Sequence, residues 1–234
     1  MWARLKDVSP VWIDVPESLG AASRKRAFFV LGLLHRDMTS TAGVIAVQGD
    51  VSEHASALKA AANAHDETVE VVEIRESGIV PECDVLLLPG GESTTISRLL
   101  REEAIAPEIR DHVAAGKPVL ATCAGLIVAA RDAGDDRVET LDLLDVTVER
   151  NAFGRQKDSF EASLDVVGLD EPFPAVFIRA PAIGEVGDAE VLSSIDGRPV
   201  AVRDGPVVGT AFHPELTGDH RIHDLAFFDA RNNR

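Results

Sequence analysis

The chain is poor in lysine and in cysteine. Lysine occurs five times in 234 residues (Lys6, Lys25, Lys59, Lys117 and Lys157) against 18 arginines, and the formal net charge is −16. So acidic a surface repels nucleic-acid phosphates and anionic lipid headgroups, so neither nucleic acid nor a membrane is an expected partner. Dense carboxylates fit a protein adapted to high salt, with self-repulsion at low salt as the consequence. The plainer alternative is an acidic protein without that adaptation. Two cysteines, Cys83 and Cys123, make no disulfide framework and point to a reducing, cytoplasmic compartment. The apolar run at residues 27–34, behind Arg24-Lys25-Arg26, is too short to span a bilayer and lies too late for an export signal. No internal repeat is visible, and residues 38–234 contain no linker that would divide them.

Residues 1–37 carry net charge +2, leaving −18 on residues 38–234. They are expected to be an appended N-terminal extension, disordered or read through from a misassigned start upstream of Met38, with a small added helix as the alternative. From Met38 onward, strands and helices alternate. Residues 43–47, 69–74, 85–88 and 119–122 read as buried strands, and residues 51–64, 96–103 and 107–115 as helices. Continuous apolar strands between helices indicate a mostly parallel sheet covered on both faces. The stretches 143–148, 159–166, 175–178, 190–195, 200–203 and 207–212 read as short strands, expected as antiparallel additions to the same sheet. Residues 220–231 read as a closing helix.

Cys123 ends an apolar strand and precedes a helix-like run. At such a corner the sulfur is lifted out of the sheet, and the helix N-terminus favours thiolate. Its small neighbours Ala121, Ala124 and Gly125 leave room for substrate and for backbone N–H groups. Ninety residues on, His213-Pro214-Glu215 supplies a base and a carboxylate. In an extended segment, residues i and i+2 point the same way, so His213 can take the thiol proton while Glu215 orients the imidazole. Gly90-Gly91 follows a buried strand and can bring backbone N–H groups to an oxyanion. The plainer reading is an ordinary turn with Glu92 and Ser93 as helix caps. No Gly-Lys-Ser/Thr follows, so it is not a phosphate loop. His220 and His223 share a helix face, yet no clear ligand set forms around them, and neither a metal nor a cofactor is expected. Arg150 to Gln156 and Phe177 to Pro181 carry arginines at strand ends, suited to a substrate carboxylate or to surface ion pairs. Cys83 is expected to be a buried structural thiol.

Several stretches together resemble one family. They are Gly43 to Val51 with Glu53-His54, Leu88-Pro89-Gly90-Gly91-Glu92-Ser93-Thr94-Thr95, and Thr122-Cys123-Ala124-Gly125-Leu126. Arg150-Asn151-Ala152-Phe153-Gly154-Arg155-Gln156 with Ser159-Phe160-Glu161, Phe177-Ile178-Arg179-Ala180-Pro181, and Phe212-His213-Pro214-Glu215-Leu216-Thr217 complete the set. The family resembled is the glutaminase subunit of pyridoxal 5'-phosphate synthase, a class I (triad) glutamine amidotransferase. The resemblance implies a three-layer α/β/α sandwich, flavodoxin-like, and hydrolysis of L-glutamine to glutamate and ammonia for vitamin B6 synthesis. It assigns Cys123 as nucleophile, His213 as proton shuttle and Glu215 as its orienter. Gly91, Glu92, Ser93, Arg150, Ile178 and Arg179 would contact glutamine. Gly90, Gly91 and Ala124 would form the oxyanion hole. The implied partner is a (β/α)8-barrel synthase that receives the ammonia, in an assembly of twelve copies of each subunit. Two departures stand out. Residues 1–37 have no counterpart, and Ala121 replaces a glycine common before the nucleophile, which tightens the elbow.

Other readings compete. A glutaminase feeding another acceptor, such as the imidazole glycerol phosphate pathway, is disfavoured by the segment from Arg150 to Gln156. A cysteine hydrolase or redox chaperone on a related fold would not need His213 and Glu215 beside a glutamine pocket. A non-enzymatic binding module would leave three separated chemical elements to coincidence.

Overall fold

The computed structural model describes residues 39–49, 51–149 and 159–228. The expected N-terminal extension, Arg150 and the rest of the segment to Gln156 lie outside the described residues. Among the described residues twelve strands and five helices follow in order: β1 (Thr39–Ile45), α1 (Val51–Ala64), β2 (Thr68–Ile74), β3 (Val85–Leu88), α2 (Ser93–Glu102), α3 (Ile105–Ala114), β4 (Val119–Thr122), α4 (Ala124–Ala129), β5 (Ala130–Asp132), β6 (Leu144–Glu149), β7 (Phe160–Leu164), β8 (Phe173–Phe177), β9 (Ala182–Val186), β10 (Glu190–Ile195), β11 (Arg198–Asp204), β12 (Val207–Thr210) and α5 (Arg221–Phe227).

The main sheet has seven strands in the order β10-β11-β12-β4-β3-β1-β2. Its right-hand five, β12-β4-β3-β1-β2, are parallel. Strands β3, β4 and β12 are buried along their whole length, which is why they read as unbroken apolar runs. Helices α1 and α5 pack together on one face, and α2, α3 and α4 on the other, completing the expected α/β/α sandwich.

The second half departs from expectation. Only β10 and β11 join the main sheet antiparallel. Strand β12 joins it parallel to β4, with Thr210 opposite Thr122. The rest form a three-stranded sheet, β5-β6-β9, and a two-stranded ribbon, β7-β8. Alternating burial looks the same in a sheet extension and in a separate ribbon, so pattern alone did not tell them apart. The ribbon closes over the core through Phe177, stacked on Phe160 at 4.6 Å and tilted against Phe212 at 5.6 Å.

This topology decides where chemistry can occur. Parallel strands end on the same side, and β1 connects outward to β2 while the chain returns across it to β3. A crevice forms at such a reversal of strand order, outside the carboxyl ends. The segments leaving β1, β3, β4 and β12 all emerge there.

Candidate active site

Strand β4 runs straight into α4, and Cys123 is the single residue between them. It has φ +49° and ψ −106°, a region that costs a non-glycine residue on the order of 1–3 kcal/mol. The surroundings hold it there. Its N–H donates to the Thr210 carbonyl of β12 at 2.8 Å, and its carbonyl accepts from Ile127 at 3.3 Å. Gly125 completes the elbow differently from expectation. A Cβ there would collide with the Leu88 carbonyl oxygen, so Gly125 lets α4 press against the end of β3 and does not open space for substrate.

His213 lies three residues past Thr210, the last residue of β12, and its N–H donates to the Val176 carbonyl of β8 at 2.8 Å. The parallel pairing of β12 with β4 therefore carries His213 to the side of Cys123. Glu215 is not in an extended segment, as the i, i+2 argument supposed. Pro214–Leu216 form a 3-10 turn with His213 as its N-cap. The turn still brings Glu215 Oε1 within 2.7 Å of His213 Nδ1, with both residues buried. Burial alone would push the His213 pKa down. Hydrogen bonds to Cys123 and Glu215, together with their charges, outweigh it and raise the pKa to about 10. The imidazolium that forms when a thiol gives up its proton is thus favoured at this position. The Cys123 thiol also lies 3.9 Å from the Ile178 carbonyl oxygen.

Gly90 and Gly91 leave β3 directly beneath this pair. A Cβ on Gly90 would stand 2.7 Å from His213 Cε1 and 3.4 Å from Cys123 Cβ. Gly91 adopts φ +145°, open to glycine alone. Gln48, at the end of β1, holds the loop by accepting the Glu92 N–H on its Oε1 at 3.1 Å. Glu92 itself is the N-cap of α2 and accepts from the Thr95 N–H at 2.9 Å. The Thr94 hydroxyl, with Thr95, holds the Glu92 carboxyl below the usual carboxylate range. The carboxylate is therefore engaged as a cap. The helix also starts at Ser93, earlier than the residue 96 expected from the sequence.

A cavity of about 360 Å³ opens over these groups, lined by Gln48, Gly91, Glu92, Ser93, Cys123 and Ala124, and by Ile127, Ile178, Arg179, Pro181 and His213 on the other side. That volume lies in the range of small-molecule sites. The structure thus gathers at one cavity every described residue expected there from the sequence except Gly90 and Glu215, which sit behind it. Arg179 is exposed, with φ +45°. Gln48 stands at the site although no site role is legible for it in the sequence. Its role as a clamp depends on β1 lying next to β3, a non-local fact. Cys83, by contrast, is fully buried with its pKa pushed up by burial to about 11, an inert structural thiol as expected.

A strained cysteine elbow, a buried His–Glu pair and a glycine loop thus meet at the carboxyl ends of a parallel sheet. The family model described as the SNO glutamine amidotransferase family matches residues 44–230. The chain belongs to the SNO glutamine amidotransferase family. Its relatives include the pyridoxal 5'-phosphate synthase subunit PdxT of Haloarcula marismortui, 75% identical over 194 residues that make up 82% of this chain and 98% of that one. The protein of the same name from Halobacterium salinarum is 75% identical over 193 residues, 82% of this chain and 95% of that one. A crystal structure described as a glutamine amidotransferase matches with TM-score 0.74 and 43% identity, over 81% of this chain and 98% of that one. At 17% identity and TM-score 0.54, the PurLQS structure from Thermotoga maritima shares the fold alone, over 84% of this chain and 99% of that one. Membership of this family and the salt-loving sources of its relatives agree with the acidic, lysine-poor composition.

Proposed function

We propose that this amidotransferase hydrolyses L-glutamine to L-glutamate and ammonia, and delivers the ammonia to the synthase subunit of pyridoxal 5'-phosphate synthase. The observation that carries the reading is the line Cys123–His213–Glu215, with Cys123 and His213 lining the 360 Å³ cavity and Glu215 behind His213. High identity to proteins named as synthase subunits supports the acceptor.

The chemistry follows from the residues. The Cys123 thiol gives its proton to His213, whose raised pKa favours the imidazolium, and the sulfur attacks the side-chain amide carbon. The amide oxygen gains negative charge, which backbone N–H groups of Gly90, Gly91 and Ala124 offset. His213, now imidazolium, returns its proton to the leaving nitrogen. The C–N bond breaks, ammonia departs, and a glutamyl thioester remains on Cys123. His213 then takes a proton from water, which attacks the thioester carbon. Glutamate leaves and the thiol is restored. Glu215 keeps Nδ1 protonated and stabilises the imidazolium throughout. Gly91, Glu92 and Ser93 line the bound glutamine through the glycine loop, and Arg150, Ile178 and Arg179 also contact it.

The partner is a (β/α)8-barrel subunit that builds pyridoxal phosphate, in an assembly of twelve copies of each chain. Residues 38–234 form the amidotransferase domain and residues 1–37 an appended segment. Two free thiols support a reducing, cytoplasmic setting. Among the described residues no helix is long and apolar enough to cross a membrane. The test is glutamate release from L-glutamine in high salt, with and without the cognate synthase subunit, for the full chain and for a chain starting at Met38. Release that rises with the synthase and is shared by both chains is expected. No release in any combination, from folded protein with its thiols reduced, would move the cysteine-hydrolase reading forward.

A further inference from the structure

Behind the Cys–His–Glu line lies a second set of buried groups that the reaction above does not use. Glu215 has two carboxylate oxygens, and His213 occupies Oε1. The other, Oε2, is buried and accepts no hydrogen bond among the described residues. His54 Nε2 stands 3.5 Å from it, with side chains 0% and 1% exposed. That is roughly 0.5 Å beyond an ordinary N–H···O distance. Leaving half of a carboxylate's charge bare in the interior is costly, and the adjacent imidazole is the donor placed to relieve it.

The surroundings of His54 fix which way its protons point. It rises from α1, is fully buried, and places Nε2 3.2 Å from Thr122 Oγ1, on the residue before Cys123. Its Nδ1 is 3.4 Å from His223 Nε2, on α5. Two proton arrangements fit these distances. In one, His223 Nε2–H donates to His54 Nδ1, and His54 Nε2–H points at Thr122 Oγ1 and Glu215 Oε2. In the other, His54 donates from Nδ1 and turns a lone pair toward a carboxylate. That second arrangement also leaves His223 with a bare N–H at Nδ1, an atom with no hydrogen-bond partner among the described residues. The first arrangement leaves only an uncharged lone pair there, so it is favoured. Burial pushes His54 down to about 4 and His223 to about 3, so both are neutral at working pH. The groups that bear on His54 electrostatically are Glu215, His213 and His223, and His220 bears on His223.

We infer that His54 is a positioning residue for the amidotransferase reaction: its Nε2–H holds Glu215 Oε2, so that Oε1 stays on His213 Nδ1, and His223 fixes its tautomer. The inference rests on the glutaminase reading of Cys123, His213 and Glu215. A neutral donor suits this task because it stabilises the carboxylate without competing with His213 for the charge. Outer partners of this kind are worth roughly 10–100-fold at metal-bound histidines, and a similar loss is expected here.

The experiment uses the full chain with its synthase. His54→Phe keeps ring volume and removes the donor. His54→Gln places an amide N–H near the position of Nε2. Expected are a kcat for glutamate release roughly 10–100-fold lower in His54→Phe with little change in KM, and substantial recovery in His54→Gln. Two readouts do not depend on turnover. Nitrogen-15 NMR of the wild type should show His54 protonated at Nε2 and not at Nδ1. The His213 titration should move to lower pH in His54→Phe and return toward the wild type in His54→Gln. A wild-type kcat with an unmoved His213 titration in His54→Phe would overturn the inference. So would equal losses in both variants, or a wild-type His54 protonated at Nδ1. A wild type that releases no glutamate would instead withdraw the glutaminase reading, and the two NMR measurements would then decide the role of His54 alone.

Discussion

Gly90 offers a clean perturbation of the site, because its backbone does not need to be glycine. It is not among the residues of positive φ. What it lacks is room. A Cβ at Gly90 would lie 2.7 Å from His213 Cε1, where ordinary contact begins at 3.4 Å. In Gly90→Ala the imidazole must therefore retreat by about 0.7 Å, or the loop must drop by as much. Retreat stretches the 2.7 Å bond to Glu215 and carries Nε2 away from the thiol. A misplacement near 1 Å costs on the order of 100-fold in rate, or about 2.7 kcal/mol of transition-state stabilisation. Overpacking costs folding roughly 1–3 kcal/mol, so the variant should remain folded. The assay is kcat for glutamate release with the synthase present, beside a thermal melt. A folded Gly90→Ala within threefold of the wild type would refute the claim that Gly90 sets the position of His213. Gly125→Ala is the contrasting control: its Cβ would strike backbone, the Leu88 carbonyl, and the expected outcome is loss of folding.

Three further outcomes are expected. Cys123→Ala should lose roughly 10⁴-fold or more of glutamate release while Cys83→Ala keeps it, and a Cys123→Ala chain with full activity would end the nucleophile assignment. Stability should fall on acidification below about pH 6.5. Burial depresses His54 to about 4, His112 to about 4 and His223 to about 3, so the unfolded chain takes up protons first. Each such group loses about 2 kcal/mol by pH 5, and urea unfolding at pH 7 and pH 5 checks it. His213 acts in the opposite sense: with a raised pKa, its contribution is complete below about pH 6.5 and is lost as pH rises through its folded value. The third concerns salt. With a net charge of −16, the melting temperature should rise between 0.1 M and 1 M KCl, as the screening length falls from about 10 Å to about 3 Å. A melting temperature that does not move would leave the acidic surface without this role.

What could be read from the chain, and what could not, divides by range. The Cys123 corner, the His213-Pro214-Glu215 step and the buried parallel strands are local patterns, and each is found where the sequence places it. The 3-10 turn at Pro214–Leu216 was missed because an i, i+2 relation is satisfied by several backbone shapes. Strands β6, β7 and β8 are legible in the sequence but not their separation from the main sheet, because strand partners are chosen non-locally, and the short β5 and β9 carry no strand signal of their own. Gly125 carries an obvious small-residue signal with two physical readings, and only the Leu88 carbonyl decides between them. His54 belongs to a stretch that carries the resemblance, yet nothing in that stretch gives it a role. Its partners Thr122, Glu215 and His223 are 68, 161 and 169 positions away in the chain, and no window of sequence contains them.

The central claim is that Cys123 carries the glutamyl group. The most direct measurement is acid quenching of the complex during turnover of carbon-labelled glutamine, followed by peptide mapping. Label, released by hydroxylamine, is expected on the peptide that contains Cys123 and none on the peptide that contains Cys83. Turnover without label on Cys123, or with label that persists in Cys123→Ala, would contradict it.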